Sequence, residues 1–272
     1  MKTVLITGVS SGIGRATAIE MGRRGYHVVA AGRSEARTMP VVTQVSADGG
    51  SAEFLNLDLA SLESARQAAM TFERSGKRLD VLINNAAVGG TRGVTADGFE
   101  INFGVNHLGH FMLTHHLRRT FVTGARIVVL TSEMHRRASG IDFDRVQQRS
   151  RSIAGLSEYA VSKLANILFA RRFSQLQPGW RTYAVHPGLA DTNIFPRGSR
   201  FLFRNRRPPE EAAVTGVWCA TAPELADESG RYYAKREARQ PSAAAMDDEL
   251  GRELWARSER WCGVAPQHSA QV

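Results

Sequence analysis

Short apolar runs rich in Val, Ile and Leu alternate along this chain with longer stretches in which apolar residues recur every three or four positions. The runs at residues 3–7, 27–31, 53–57, 81–84, 126–130, 182–186 and 231–233 read as strands, being short, β-branched and bounded by turn residues. Between them, residues 13–24, 62–74, 99–120, 158–175, 209–220 and 247–260 carry the helical period. Residues 34–51 should hold one more crossover helix, which Pro40 and the Gly49-Gly50 pair make short or irregular. Near-continuous apolar strands are those buried on both faces. The alternation therefore predicts an α/β fold, a single doubly wound parallel sheet of about seven strands with helices on both faces. Ligands of such sheets lie outside the carboxyl ends of the strands.

Composition narrows this picture. The 272 residues suit one large domain, and an apolar fraction of 43% fills a complete core. No repeat, low-complexity tract or Pro/Gly/Ser-rich linker divides the chain. No apolar run is long enough to span a bilayer. Met1-Lys2 passes at once into the first strand without a signal-peptide core, and Cys219 and Cys262 are the only cysteines. Both features point to a reducing, cytoplasmic setting. The formal charge of +9 rests on 31 Arg and 4 Lys. The arginines are scattered, and no basic helix carries interleaved aromatics, so a nucleic-acid partner is not expected.

Candidate chemistry begins at the first strand–helix junction, Thr7-Gly8-Val9-Ser10-Ser11-Gly12-Ile13-Gly14-Arg15. Gly8 permits a sharp turn, Gly12 a close backbone approach to a pyrophosphate, and Gly14 tight helix–strand packing. The spacing is G-x-x-x-G-x-G, not the usual G-x-G-x-x-G, and alone it is a weak signal. The second strand ends without the acid that would bind the ribose hydroxyl of NAD, and Arg33 follows immediately. Arg33, with Arg15 from the first helical turn, predicts recognition of the 2′-phosphate of NADP. Asp58 ends the third strand within reach of an adenine amine, and Asn84-Asn85-Ala86 closes the fourth with amides able to pin strands and ribose. Farther on, Tyr159 and Lys163 stand one helical turn apart. A cation beside a phenol pulls its pKa down toward neutrality and makes a usable general acid.

These motifs together resemble the short-chain dehydrogenase/reductase family, and the resemblance runs almost from end to end. It is carried by residues 7–14, Asn84-Asn85-Ala86, Asn106, Thr131-Ser132, Tyr159-x-x-x-Lys163 and Pro187-Gly188. Local text such as Thr95-Ala96-Asp97-Gly98-Phe99-Glu100, Ser162-Lys163-Leu164-Ala165-Asn166 and the long stretch from Ser132 to Tyr159 is similar to the branch of retinol dehydrogenases, WW-domain oxidoreductases and protochlorophyllide reductases. Ala87, Thr131 and Glu133 depart from the usual pattern, and Glu133 is placed to alter a substrate pocket.

The resemblance implies a Rossmann fold with residues 1–130 mainly binding dinucleotide, 131–272 catalytic and substrate-binding, and a lid near 189–209. It also implies an NADP(H)-dependent oxidoreductase interconverting an alcohol and a ketone or aldehyde. Tyr159 would be the general acid/base, Ser132 the group that steadies the substrate oxygen, and Lys163 a ribose ligand that lowers the tyrosine pKa. Asn106 would hold a relay water. Cofactor contacts would come from Gly8, Ser10, Ser11, Gly12, Ile13, Gly14, Arg15, Arg33, Asp58, Leu59, Asn85, Ala86, Tyr159, Lys163, Pro187, Gly188 and Thr192. Phe195, Phe201 and Phe203 in the lid suggest a lipophilic small-molecule substrate, and Arg197, Arg200 and Arg204 could add a basic rim with Arg136, Arg137, Arg149 and Arg151. Reduction of a ring double bond, and a non-catalytic NADP-sensing scaffold, are the competing readings. Family members often pair through long helices, which leaves a homo-oligomer open. His107, His110, His115 and His116 crowd one helix without an H-E-x-x-H pattern, so core packing is expected of them and no metal.

Overall fold

The computed structural model describes residues 1–188 and 207–266. Their strands form one eight-stranded sheet in the order β3-β2-β1-β4-β5-β6-β7-β8. These are β1 (Thr3–Thr7), β2 (His27–Gly32), β3 (Ser51–Asn56), β4 (Leu79–Asn84), β5 (Phe121–Leu130), β6 (Arg181–His186), β7 (Arg231–Ala234) and β8 (Glu237–Arg239). All pairs are parallel except β7 with β8. The helices are α1 (Gly12–Arg23), α2 (Glu35–Ala47), α3 (Leu62–Arg74), α4 (Ile101–Phe103), α5 (Gly109–Leu117), α6 (Leu156–Leu176), α7 (Pro209–Thr221) and α8 (Asp248–Trp261).

Strand side chains alternate between two cores. Leu5, Leu82, Ile127 and Val129 pack toward α3, α5, α6 and α8, while Val4, Ile6, Ile83 and Val128 pack toward α1, α2 and α7. The order of strands reverses where β1 meets β4, and a crevice opens at the carboxyl ends of these two strands.

Three elements differ from the sequence pattern. Residues 35–47 form a regular 13-residue helix despite Pro40. Proline there removes the hydrogen bond to the Ala36 carbonyl, but Ala36 and Pro40 both lie on the exposed side, where water can take that carbonyl. The single helix expected over 99–120 is instead interrupted by a π-helical turn, Gly104–Leu108, before α5 begins. Gly109 lets this region press on the preceding loop, since a Cβ there would lie 2.5 Å from the Leu59 carbonyl oxygen. The eighth strand is short and fully exposed, so it has no apolar signature. It follows a two-residue turn in which Lys235 and Arg236 both adopt positive φ, a conformation that sequence reading assigns to Asn-Gly. Among the described residues no helix is long and apolar enough to cross a membrane.

Candidate active site

The crevice encloses about 700 Å³. Its floor is built from the glycine turn after β1. Gly8 has φ +73° and lies so near Ala86 that a Cβ would come within 2.8 Å of the Ala86 Cα. A Cβ on Gly14 would sit 2.3 Å from the Gly8 carbonyl oxygen, so α1 could not start this close to the strand with any larger residue. Ser10, Ser11, Gly12 and Ile13 line the same floor. The Asn85 amide ties β4 to β1, donating to the Thr7 carbonyl at 2.7 Å and the Gly8 carbonyl at 3.3 Å. The backbone N–H groups of Asn85 and Ala86 both donate to the Thr7 hydroxyl, at 3.0 and 2.9 Å.

At the far end of the floor, Arg33, Asp58 and Leu59 line the crevice as the sequence implies. One Asp58 carboxylate oxygen accepts from the Ala60 N–H at 2.9 Å. Arg15 does not line this crevice. Its neighbours Ile13, Gly14, Ala16 and Thr17 are buried, so Arg15 occupies the exposed stripe of α1 and borders a separate depression against α7. Arg37 stands beside Arg33 in its place, from the first turn of α2, together with Ser34 and Thr38. Sequence reading passed over Arg37 because that helix looked irregular, yet it lies one turn beyond Arg33.

The opposite wall carries Ser132, Tyr159 and Lys163, with Pro187 and Gly188 beside them. Ser132 begins the loop after β5 and its hydroxyl accepts from the Met134 N–H at 3.2 Å. The Ser132 and Tyr159 side chains share a hydrogen bond. Lys163 Nζ lies 5.5 Å from the centre of the Tyr159 ring and donates to the Leu130 carbonyl at 3.2 Å. The Asn166 amide donates to that same carbonyl at 3.0 Å. The expected depression of the tyrosine pKa is not what this environment produces. Burial pushes Tyr159 up to about 12, against a smaller downward pull from Ser132, and burial brings Lys163 down to about 7. Both side chains are almost fully buried, so loss of water dominates both shifts.

Asn106 is not on the crevice surface. It is fully buried in the π-helical turn, where its side chain accepts from the Val88 N–H at 2.8 Å and donates to the Val88 carbonyl at 2.9 Å. The amide also donates to the Ser162 hydroxyl at 2.9 Å, which in turn donates to the Tyr159 carbonyl at 2.8 Å. Glu133 does not line the crevice either. It is hydrogen-bonded to Tyr232 and ion-paired with Arg136 at 2.7 Å, which also engages one arginine of the expected basic rim. Val88, Thr91, Ile101, Val105 and His186, which sequence reading did not single out as site residues, also line the crevice. Thr192 and most of the expected lid lie outside the described residues. Of the crowded histidines, His107 and His110 are core residues, whereas His115 and His116 are only half-buried. His107 reaches Ser258 on α8 at 2.9 Å, and His110 reaches Thr7 at 2.9 Å.

Comparison with known proteins agrees with this geometry. Residues 2–142 match the family profile described as short chain dehydrogenase. Human retinol dehydrogenase 13 is 38% identical over 97% of this chain and 85% of its own length. Among solved structures, an uncharacterised protein of Mycobacterium paratuberculosis superposes with a TM-score of 0.80 at 30% identity, covering 97% of this chain and 94% of that one. The angucycline C-6 ketoreductase LanV, solved with bound NADP, has a TM-score of 0.69 at 25% identity, covering 85% of this chain and 92% of that one. The doubly wound sheet, the glycine floor and the serine–tyrosine wall thus occur in a member of the short-chain dehydrogenase/reductase family of oxidoreductases, on its retinol dehydrogenase-like branch.

Proposed function

We propose that this protein is an NADP(H)-dependent oxidoreductase that interconverts an alcohol with a ketone or aldehyde on a lipophilic substrate. The observation that carries this reading is the joining of Ser132, Tyr159 and Lys163 in one wall of a crevice whose floor is a glycine cradle. The residues at hand fit a dinucleotide. The cradle leaves no room for Cβ atoms at Gly8 and Gly14, and α1 opens beneath it with backbone N–H groups free for a pyrophosphate. At the end of β2 no acid opposes a 2′-phosphate, and the Arg33 and Arg37 guanidinium groups, joined by the buried and unpartnered Thr38 hydroxyl, suit one. The ketoreductase LanV, which shares the fold, binds NADP.

When bound, the nicotinamide ring supplies or accepts the hydride. The chain's own groups handle the oxygen. With its pKa pushed up to about 12, the Tyr159 phenol is protonated at neutral pH and can donate to a carbonyl oxygen as negative charge develops. Ser132 offers a second donor to the same oxygen, an oxyanion-stabilising arrangement. Lys163, held through Leu130 on the adjoining side, offers hydrogen-bond donors to a ribose and, in its protonated form, a positive charge to the phenolate left after transfer. Val88, Ile101 and Val105 favour an apolar substrate and exclude water around it.

The test is Tyr159→Phe. Turnover of an aldehyde and ketone panel, followed at the nicotinamide absorbance, should fall by roughly 10²–10⁴ as expected for a lost general acid. NADPH binding by fluorescence should persist. Near wild-type turnover in the variant would remove Tyr159 from the mechanism.

A further inference from the structure

His110 is nearly fully buried, and both of its ring nitrogens have partners on different elements. Nδ1 lies 3.0 Å from the Asn106 carbonyl oxygen, and Nε2 lies 2.9 Å from the Thr7 hydroxyl at the end of β1. A carbonyl only accepts, so Nδ1 carries the proton. Burial lowers the pKa of His110 to about 4, so the ring is neutral and Nε2 is an acceptor. The Thr7 hydroxyl must then donate its proton to Nε2. Its lone pairs are thereby turned toward the two N–H groups that reach it, those of Asn85 and Ala86. At the other end, Asn106 grips Val88 by both its N–H and its carbonyl. Residues 85, 86 and 88 all line the crevice.

We propose that His110 is a positioning residue of this crevice: it orients the Thr7 hydroxyl and braces Asn106, so that residues 85–88 are held from both ends. This rests on the cofactor reading above only for its functional consequence. The contacts themselves join three segments far apart in sequence, β1, the end of β4 and the π-helical turn. A phenylalanine at position 110 would fill similar space yet offer nothing to either partner. The Thr7 hydroxyl would then keep only its long 3.5 Å contact with the Ile83 carbonyl, and the acceptor seen by the two amides would be held less firmly. Replacing Thr7 by valine removes the same link from the opposite side with nearly unchanged volume.

The experiment compares wild type, His110→Phe, Thr7→Val and the double variant. Three quantities are read: amide exchange of the peptide spanning residues 84–88 without cofactor, the NADPH dissociation constant by fluorescence, and Tm. Both single variants should speed exchange in that peptide and weaken NADPH by about tenfold, the usual scale for a buried hydrogen bond left unmade. The losses in the double variant should fall short of the product of the two singles, because the Thr7–His110 bond is broken by either change, while the Asn106 bond is lost only with His110 and the two amide bonds only with Thr7. Unchanged exchange at 84–88 with unchanged NADPH affinity in His110→Phe overturns the proposal, even if Tm drops, and so do losses that multiply in the double variant. If His110→Phe does not fold, Thr7→Val alone must show both effects, and their absence overturns it. Failure of the wild type to bind NADPH removes the cofactor reading instead. Amide exchange in the unliganded protein then decides the positioning role by itself.

Discussion

Acid should destabilise this protein through its buried histidines, His107 and His110 among them, while most carboxylates are still ionised. Burial holds His107 at about 3 and His110 at about 4, well below the ordinary value for histidine. In both cases loss of water is the main cause, and for His110 the bond to the Asn106 carbonyl opposes it. Between these values and the free value of about 6.5, the unfolded chain binds protons that the folded chain refuses. Stability therefore rises with pH through that window and falls as pH is lowered through it. At a pH of about 5 both folded histidines are still neutral, so the loss depends only on the distance from the free value. That distance is roughly 1.5 units at ~1.36 kcal/mol per unit, or about 2 kcal/mol per histidine and about 4 kcal/mol for the pair. A loss of this size is a large part of a typical folding free energy of ~5–15 kcal/mol. Glu100 acts in the opposite direction, because burial raises its pKa and its folded form keeps a proton longer. A variant cancels such shared contributions. His107→Phe leaves an aromatic ring among Phe103, Phe111 and Phe169 and removes one titrating group. Urea unfolding at pH values of about 8 and 5 should show the variant losing ~2 kcal/mol less than wild type over that interval. Equal losses in the two proteins would refute the argument.

Two further outcomes follow from the crevice floor and its basic end. Replacing Arg33 by aspartate and Arg37 by alanine should turn cofactor preference from NADPH toward NADH, read as the ratio of kcat/KM for the two; an unchanged ratio would remove both arginines from 2′-phosphate recognition. Gly14→Ala should cost about 1–3 kcal/mol as an overpacked contact, because the added carbon meets the Gly8 carbonyl oxygen at 2.3 Å and backbone cannot yield cheaply. Thermal unfolding would register the cost, and NADPH titration the distortion of the cradle.

The sequence carried those features that depend on spacing along one element. Alternating apolar runs gave β1 to β7, and four-residue spacing put Tyr159 and Lys163 in one wall. What it did not carry depends on partners distant in the chain. Arg15 looked suited to a phosphate because it follows the glycine turn, but which side of α1 it occupies is decided by the buried residues around it. Arg37 gained its place because water can satisfy the carbonyl that Pro40 leaves bare, so the helix that presents it forms after all. The acidity of Tyr159 is the sharpest case. A cation four residues away is visible in the sequence, whereas the burial of both groups and the Leu130 carbonyl that accepts the lysine's hydrogen bond are not. The same holds for Asn106. Its type and position suggest polar chemistry at the crevice, but only the π-helical turn shows that its amide is occupied by Val88 and Ser162. A side chain whose donors and acceptor are all engaged acts first through the backbone it holds. Asn106→Ala should therefore release the 85–88 segment as well as disturb proton transfer. Asn106→Asp keeps the acceptor for the Val88 N–H and loses the two donated bonds, so it separates the contributions: an aspartate variant that retained the segment but lost turnover would show that the donated bonds serve the chemistry rather than the scaffold.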